Sequence, residues 1–121
     1  MRAEAQNNVD AIEKSLALLR QRIGWETAEH RLEELNAMTE DPELWNDPDR
    51  AQKLMRERQS LVAQMDGYKA MEQEKNDSVE LIELGEMEDD DEVVKDAEAA
   101  LKALKERAAA AEIEALLNGE A

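Results

Sequence analysis

The feature that most constrains the fold is the segment of residues 48–84, which contains one glycine, Gly67, and no proline after Pro48. Asp47 can cap a helix at this point, and Pro48 suits the first helical position. Nothing in the following residues forces the helix to end for about ten turns, roughly 55 Å at 1.5 Å per residue. The sequence therefore predicts one long helix that ends near Gly85.

Apolar residues recur along this long helix, and along a last helix predicted over residues 92–117, at alternating steps of three and four. The stripe on the long helix consists of Ala51, Leu54, Arg58, Leu61, Met65, Tyr68, Glu72, Lys75, Val79 and Ile82. The stripe on the last helix consists of Val94, Ala97, Leu101, Leu104, Ala108, Ala111 and Ala115. Such stripes are typical of helices that pack along their length. The acidic turn between them, residues 89–92, supplies a cap for the last helix and predicts an antiparallel hairpin.

Counting outward from the turn predicts the register of this hairpin. The predicted pairs are Ile82 with Val94, Val79 with Ala97, Lys75 and Glu72 with Leu101 and Leu104, and Tyr68 and Met65 with Ala108 and Ala111. Large side chains then face alanines, and the two charged side chains can cover leucines with their methylene groups. The start of the long helix is left for two earlier helices to cover. We therefore predict an all-α fold, an elongated bundle of about four helices built on a long antiparallel α-hairpin, in one domain of residues 1–121.

Two shorter helices precede the long one. The first, Ala3–Ile23, places Val9, Ile12, Leu16, Leu19 and Ile23 on one face, and Gly24 favours its end. The second is predicted over residues 25–38, because the residue before Pro42 avoids the helical region. The loop of residues 39–46 then forms an ordered corner, in which we expect Trp45 to be buried.

Composition excludes several classes of protein. There is no cysteine, so disulfides and Cys-ligated zinc are absent. No apolar run approaches the roughly 20 residues that span a bilayer, and no signal-like segment opens the chain, so we expect a cytoplasmic protein without membrane association. The net charge is -16. An acidic chain repels phosphate, so we expect no direct nucleic-acid binding.

Few residues could carry chemistry. His30 is the single histidine, and without a second histidine or a cysteine it is better explained as a solvated helix residue than as a base or metal ligand. The acidic run of residues 86–92 could hold a hard cation such as calcium, but it lacks the spaced ligands of an EF-hand loop. Capping and solvation explain it better. We predict no catalytic, cofactor-binding or metal-binding residues, no cofactor and no enzymatic activity.

The densest basic cluster lies at the start of the long helix. It consists of Arg50, Lys53, Arg56 and Arg58. The cluster is either a patch for a partner or, through its first three members, a set of surface ion pairs with Asp49 and Glu57.

Three segments carry a resemblance to a known family. They are Arg31-Leu32-Glu33-Glu34-Leu35-Asn36, Leu44-Trp45-Asn46-Asp47-Pro48-Asp49-Arg50-Ala51-Gln52-Lys53-Leu54 and Glu57-Arg58-Gln59-Ser60-Leu61. With them the whole chain resembles the N-terminal helical domain of a bacterial class I peptide chain release factor. The Trp-Asn-Asp-Pro part is most similar to the type 2 factor, which answers UGA and UAA stop codons. The last residues, 118–121, resemble the point at which the family's chain passes into its second domain.

The resemblance implies a role in translation termination. The family decodes with a tripeptide in its second domain and promotes hydrolysis with a Gly-Gly-Gln loop in its third, and neither Ser-Pro-Phe nor Gly-Gly-Gln occurs here. The implied partners are the ribosome, near the stalk base, and the class II, GTP-binding release factor. An alternative is a free-standing coiled-coil scaffold that dimerises through leftover apolar surface, and a metal-responsive acidic protein is a more distant one. The residues of that surface are Leu18, Met55, Val62, Ile113 and Leu117.

Overall fold

The computed structural model of the protein describes the backbone of residues 1–119 and the side chains of residues 1–117. Its helices are α1 (Ala3–Ile23), α2 (Trp25–Thr39), a 3₁₀ helix (Pro42–Asn46), α3 (Pro48–Met87) and α4 (Asp91–Gly119). No strand occurs within this described range, and the all-α prediction is confirmed. The predicted passage into a second domain includes Glu120 and Ala121, which lie outside the described residues.

The chain divides into two compact units. The first unit contains Met1–Arg22 and Tyr68–Ala121, and the second contains Ile23–Gly67. Residues 3–22 of α1 belong to the unit of the hairpin, and the prediction that this helix covers the start of the long helix stays a prediction. There Lys75 Nζ of α3 lies 3.4 Å from Glu13 Oε1 of α1. A hairpin of two helices leaves one side of both apolar stripes uncovered, and α1 supplies the third layer.

The core of the first unit is built from α1, the second half of α3 and α4. Its largest buried side chains are Val9, Ile12, Leu16, Leu19, Tyr68, Met71, Ile82, Val94, Leu101 and Leu104. The stripes predicted for α1 and α4 are confirmed at these positions. The stripe predicted for α3 is wrong at Glu72, which is exposed, and at Val79, which is only half-buried. Met71 and Ser78 are buried instead, because α3 packs against two neighbours and both decide which face it buries.

Two contacts show that α3 and α4 run antiparallel. Arg107 Nη1 of α4 lies 2.9 Å from Glu74 Oε1, whereas Val94, at the start of α4, contacts Gly85, near the end of α3. The predicted hairpin is confirmed, and its pairing residue by residue stays a prediction. The long helix ends at Met87, two residues past Gly85, so the predicted end near Gly85 is confirmed. Gly85 itself lies within the helix, where the absence of a side chain allows α4 to approach closely.

The second unit packs α2 and the 3₁₀ helix with the start of α3. Its buried apolar residues are Trp25, Ala28, Leu35, Leu44, Ala51 and Met65. The prediction that Trp45 is buried is wrong, because its side chain is 54% exposed whereas Leu44 is 2% exposed. Successive residues of a 3₁₀ helix point about 120° apart, so Leu44 and Trp45 cannot face the same core. The Trp45 indole lies on the surface, where Nε1 donates a hydrogen bond to Thr39 O at 3.2 Å.

None of the described helices combines the length and the apolar character that crossing a bilayer requires.

Candidate protein-interaction surface

The turn between α3 and α4 is held by a regular set of backbone hydrogen bonds. Asp90 N donates to Gly85 O at 2.8 Å and Asp89 N donates to Glu86 O at 3.4 Å, which is the Schellman arrangement at a helix end. Asp89 takes the left-handed position of this motif, with φ of 54°. The Asp90 side chain then caps α4 by accepting a hydrogen bond from Val93 N at 3.3 Å. The predicted acidic cap is confirmed, and the turn is a defined structure.

This turn and the helix ends beside it form a strongly acidic surface, which we call the hairpin tip (residues 80–92). Its carboxylates are Glu80, Glu83, Glu86, Glu88, Asp89, Asp90, Asp91 and Glu92, and it contains no lysine or arginine. Two of them have cationic partners: Glu86 lies 3.1 Å from the N-terminal ammonium group, and Asp91 lies 3.2 Å from Lys95 Nζ and 3.5 Å from Arg2 Nη2. The remaining charges give the tip a negative potential towards solvent.

The hairpin tip also contains large apolar side chains that are exposed to solvent. Leu81 and Leu84 are about half-exposed, and Met87 is 82% exposed. At about 100° per residue, Leu84 and Met87 lie on the side of α3 opposite the buried Ile82. Apolar side chains that point away from the core are not needed for packing, so they are available to a partner.

The tip has the properties of a protein-docking surface. An apolar centre with a charged rim is the usual composition of a protein interface. Because every ionisable side chain of the tip is acidic, the partner that fits is a basic protein surface with apolar side chains of its own. Such a surface selects and orients a partner, and it brings together no nucleophile and base that could break bonds.

The other residues considered from the sequence do not form a site. His30 is exposed on α2. Within the described range, no group of three or more histidine, cysteine, aspartate or glutamate side chains is arranged to hold a metal ion. The acidic run at the tip is therefore assigned to capping and to surface charge.

The four residues of the basic cluster at the start of α3 differ in burial and in their partners. Arg58 is half-buried, and its Nε donates to Asn36 Oδ1 at 2.6 Å. Arg50, Lys53 and Arg56 are exposed, and no ion pair joins them to any described residue. The predicted pairing with Asp49 and Glu57 is therefore wrong for Arg50 and Arg56, whereas Lys53 acts on Glu57 through its charge without a direct ion pair. Arg31 of α2 binds the Glu57 carboxylate instead.

The Arg31–Glu57 pair joins α2 to α3 inside the second unit. Arg31 donates through Nε and, at 2.8 Å, through Nη2 to the two carboxylate oxygens of Glu57. This bidentate geometry is the strongest arrangement of an arginine with a carboxylate. The hydrogen bond from Arg31 lowers the pKa of Glu57 below its ordinary value, and the same bond raises the pKa of Arg31. The pair therefore stays charged at neutral pH.

Comparison with known proteins decides the family. A family model described as "PCRF domain" matches residues 28–121. The chain belongs to this family. Because the match begins in α2 and extends over α3 and α4, the family includes both helices of the hairpin and its tip.

Relatives of this family resemble the chain over its whole length. "Peptide chain release factor 2" of Ruegeria sp. is 70% identical over 120 residues, which are 99% of this chain and 32% of the relative. The protein of the same name in Roseobacter denitrificans is 63% identical over 121 residues, 100% of this chain and 32% of the relative. That of Paramagnetospirillum magneticum is 53% identical, again over 100% of this chain. The predicted resemblance to a bacterial type 2 release factor is confirmed, and the chain spans about a third of the length of these relatives.

The apolar part of the hairpin tip was missed by the reasoning from sequence. Leu81, Leu84 and Met87 belong to neither predicted stripe, and acidic residues surround them in the sequence. The signal was present, because these large apolar residues lie off the buried stripe in a segment without a cation. Of the leftover apolar residues named from the sequence, Met55, Ile113 and Leu117 are exposed.

Proposed function

We propose that residues 1–121 form the N-terminal helical domain of a cytoplasmic peptide chain release factor that acts in translation termination. The observation that supports this most strongly is the 70% identity, over 99% of the chain, to a protein named "Peptide chain release factor 2". The chain contains no Gly-Gly-Gln sequence, so hydrolysis would belong to another part of the factor. We assign the domain a docking role, without cofactor and without enzymatic activity of its own.

The surface that we assign to docking is the hairpin tip. Its proposed partners are the ribosome, on the side of the stalk base, and the class II, GTP-binding release factor. Ribosomal proteins are generally basic, so the eight carboxylates of the tip offer charge complementarity, and Leu84 and Met87 offer apolar contact. With a net charge of -16 the isolated domain would bind protein rather than bare nucleic acid.

The docking role is tested in the full-length factor by replacing Leu84 and Met87 with serine. These changes remove apolar contact and leave every charge in place. In a peptide-release assay on ribosomes with UGA in the decoding site, we expect the factor concentration at half-maximal rate to rise about tenfold. The saturating rate should stay unchanged, because the variants touch binding and not hydrolysis.

The matched control is Met55→Ser, which removes an exposed methionine from the second unit. It should leave the half-maximal concentration unchanged. If the tip variant behaves like this control, the tip is not the docking surface. A salt titration gives a second measure, because neutralising Glu83 and Glu88 with glutamine should flatten the salt dependence of association.

The proposed codon specificity is UGA and UAA. It is tested by measuring peptide release with the unmodified full-length factor at UGA, UAA and UAG. Release at UAG comparable to release at UAA would contradict the assignment to type 2. Release at none of the three would contradict the proposed function itself.

A further inference from the structure

The outward face of α4 changes from charged to apolar in its last turns. At about 100° per residue, Lys95, Lys102 and Glu106 share one exposed face of this helix. Between Glu106 and the last described side chain, Leu117, the same face holds apolar side chains alone. They are Ala109, Ala110, Ile113, Leu116 and Leu117.

The three large members of this set form what we call the helix-end patch: Ile113, Leu116 and Leu117. Their exposed fractions are 56%, 40% and 63%. The steps of three and four place them within about 100° around the helix axis, so they form one continuous surface. Ile113 and Leu117 lie on the side of α4 opposite Ala108, which is fully buried in the first unit. Packing within this unit therefore does not account for the patch.

The length of the relatives indicates what covers this patch. They are about three times as long as the chain, so most of the factor lies beyond residues 1–121. The polypeptide that follows residue 121 is joined to α4, so along the sequence it begins within a few residues of Leu117. A connected segment at such short range has a high effective concentration and loses little entropy on docking.

A second copy of the chain fits the patch less well. Three side chains at these exposures present roughly 300 Å², whereas a stable dimer buries about 800 Å² on each partner. The exposed residues before Ile113 on the same face are alanines and then charged residues, which would extend an apolar interface poorly.

We propose that the helix-end patch is an intramolecular interface, covered in the full-length factor by apolar side chains of the polypeptide that follows residue 121. The proposal rests on the proposed function, since it takes the chain to be part of a longer factor. Docking at the patch fixes the direction in which the rest of the factor leaves α4. The helix then transmits the position of the hairpin tip to the domains that follow.

The test uses the full-length factor with its other cysteines replaced by serine. Residues 1–121 contribute no cysteine, so Ile113→Cys introduces one thiol in this domain. The matched variant is Lys102→Cys, which places a thiol on the same face of α4 before the patch begins. The rate of maleimide labelling is measured for both in the native factor and is divided by the rate in denaturant.

We expect the Ile113→Cys thiol to be labelled roughly tenfold more slowly than the Lys102→Cys thiol, because the interface must open before the reagent enters. A Leu117→Cys variant should be protected to the same degree. Equal rates would overturn the proposal. Protection that grows with protein concentration, together with a dimer in sedimentation, would also overturn it, in favour of a second copy as the occupant.

This outcome is distinguishable from failure of the proposed function. The factor used for labelling is also assayed for peptide release at UGA. If the labelling rates are equal and the factor still releases peptide, only the proposed intramolecular interface is contradicted. If the factor releases no peptide, the proposed role in translation termination is contradicted.

Discussion

Gly85 of α3 approaches Val94 of α4 so closely that a Cβ added to the glycine would lie 2.7 Å from Val94 Cγ2. The same Cβ would lie 3.1 Å from the backbone oxygen of Asp90. Glycine inside a helix normally weakens it, because the unfolded chain gains conformational freedom. Here the missing side chain allows the two helices of the hairpin to meet directly below their turn.

Substitution of this glycine should be costly. Gly85→Ala forces Val94 or the backbone of Asp90 to move, and we expect a loss of about 1–3 kcal/mol in the free energy of unfolding. Gly67 of the same helix is the control, because a Cβ there meets nothing within 4 Å. Gly67→Ala should raise the stability by up to about 1 kcal/mol. Urea unfolding followed by circular dichroism measures both, and a stabilising Gly85→Ala would contradict the close approach.

Asp89 should show the cost of a left-handed backbone. Its φ of 54° is unfavourable for a residue with a Cβ. Asp89→Gly and Asp89→Ala both remove the carboxylate and differ from each other by one methyl group. We expect the glycine variant to be more stable than the alanine variant by about 1 kcal/mol in thermal or urea unfolding. Equal stabilities would show that the turn relaxes to another conformation.

Leu44 and Trp45 should respond to truncation in the reverse order of their size. Leu44 is buried, so Leu44→Ala should cost about 2–5 kcal/mol. Trp45→Ala should cost about 1 kcal/mol, since it removes an exposed ring and one hydrogen bond to Thr39 O. Chemical denaturation of the two variants side by side measures the difference. A larger loss at Trp45 would mean that the tryptophan is packed after all.

The Arg31–Glu57 pair should make stability depend on pH. Arg31 lowers the pKa of Glu57 below 4.5, its ordinary value, so the stabilisation is present above that pH. It is lost as the pH falls through the lower pKa of the folded state. We expect Glu57→Gln to be less stable than the parent at pH 7, and the gap to narrow as the pH falls below about 4.5. Unfolding curves at pH 7, 5, 4 and 3 test this, and a gap that does not change with pH would contradict it.

The sequence determined the buried faces of α1 and α4 well, because the large apolar residues of each helix recur on one side of it. In α1 and α4 the apolar spacing alone identifies Ile12, Leu16, Leu101 and Leu104 as buried residues. The capping role of the acidic turn also followed from local chemistry, because a helix start needs an acceptor for its free backbone N–H groups. Family membership followed from short segments of sequence, which pack into the second unit.

Tertiary structure decided the remaining features. Met71 and Ser78 are buried in place of Glu72 and Val79, because α3 packs against two neighbouring helices. The spacing of apolar residues along α3 does not distinguish the face that contacts one neighbour from the face that contacts the other. Which helix α1 covers was likewise not contained in its own stripe, since an apolar stripe fits any complementary partner.

Surface roles depended on the structure most of all. The sequence by itself determined an acidic all-α chain of a release factor family, because helix periodicity, capping and net charge are local or additive properties. Only the tertiary structure showed that Leu84 and Trp45 point outward and Leu44 inward, because exposure depends on what the remaining helices cover.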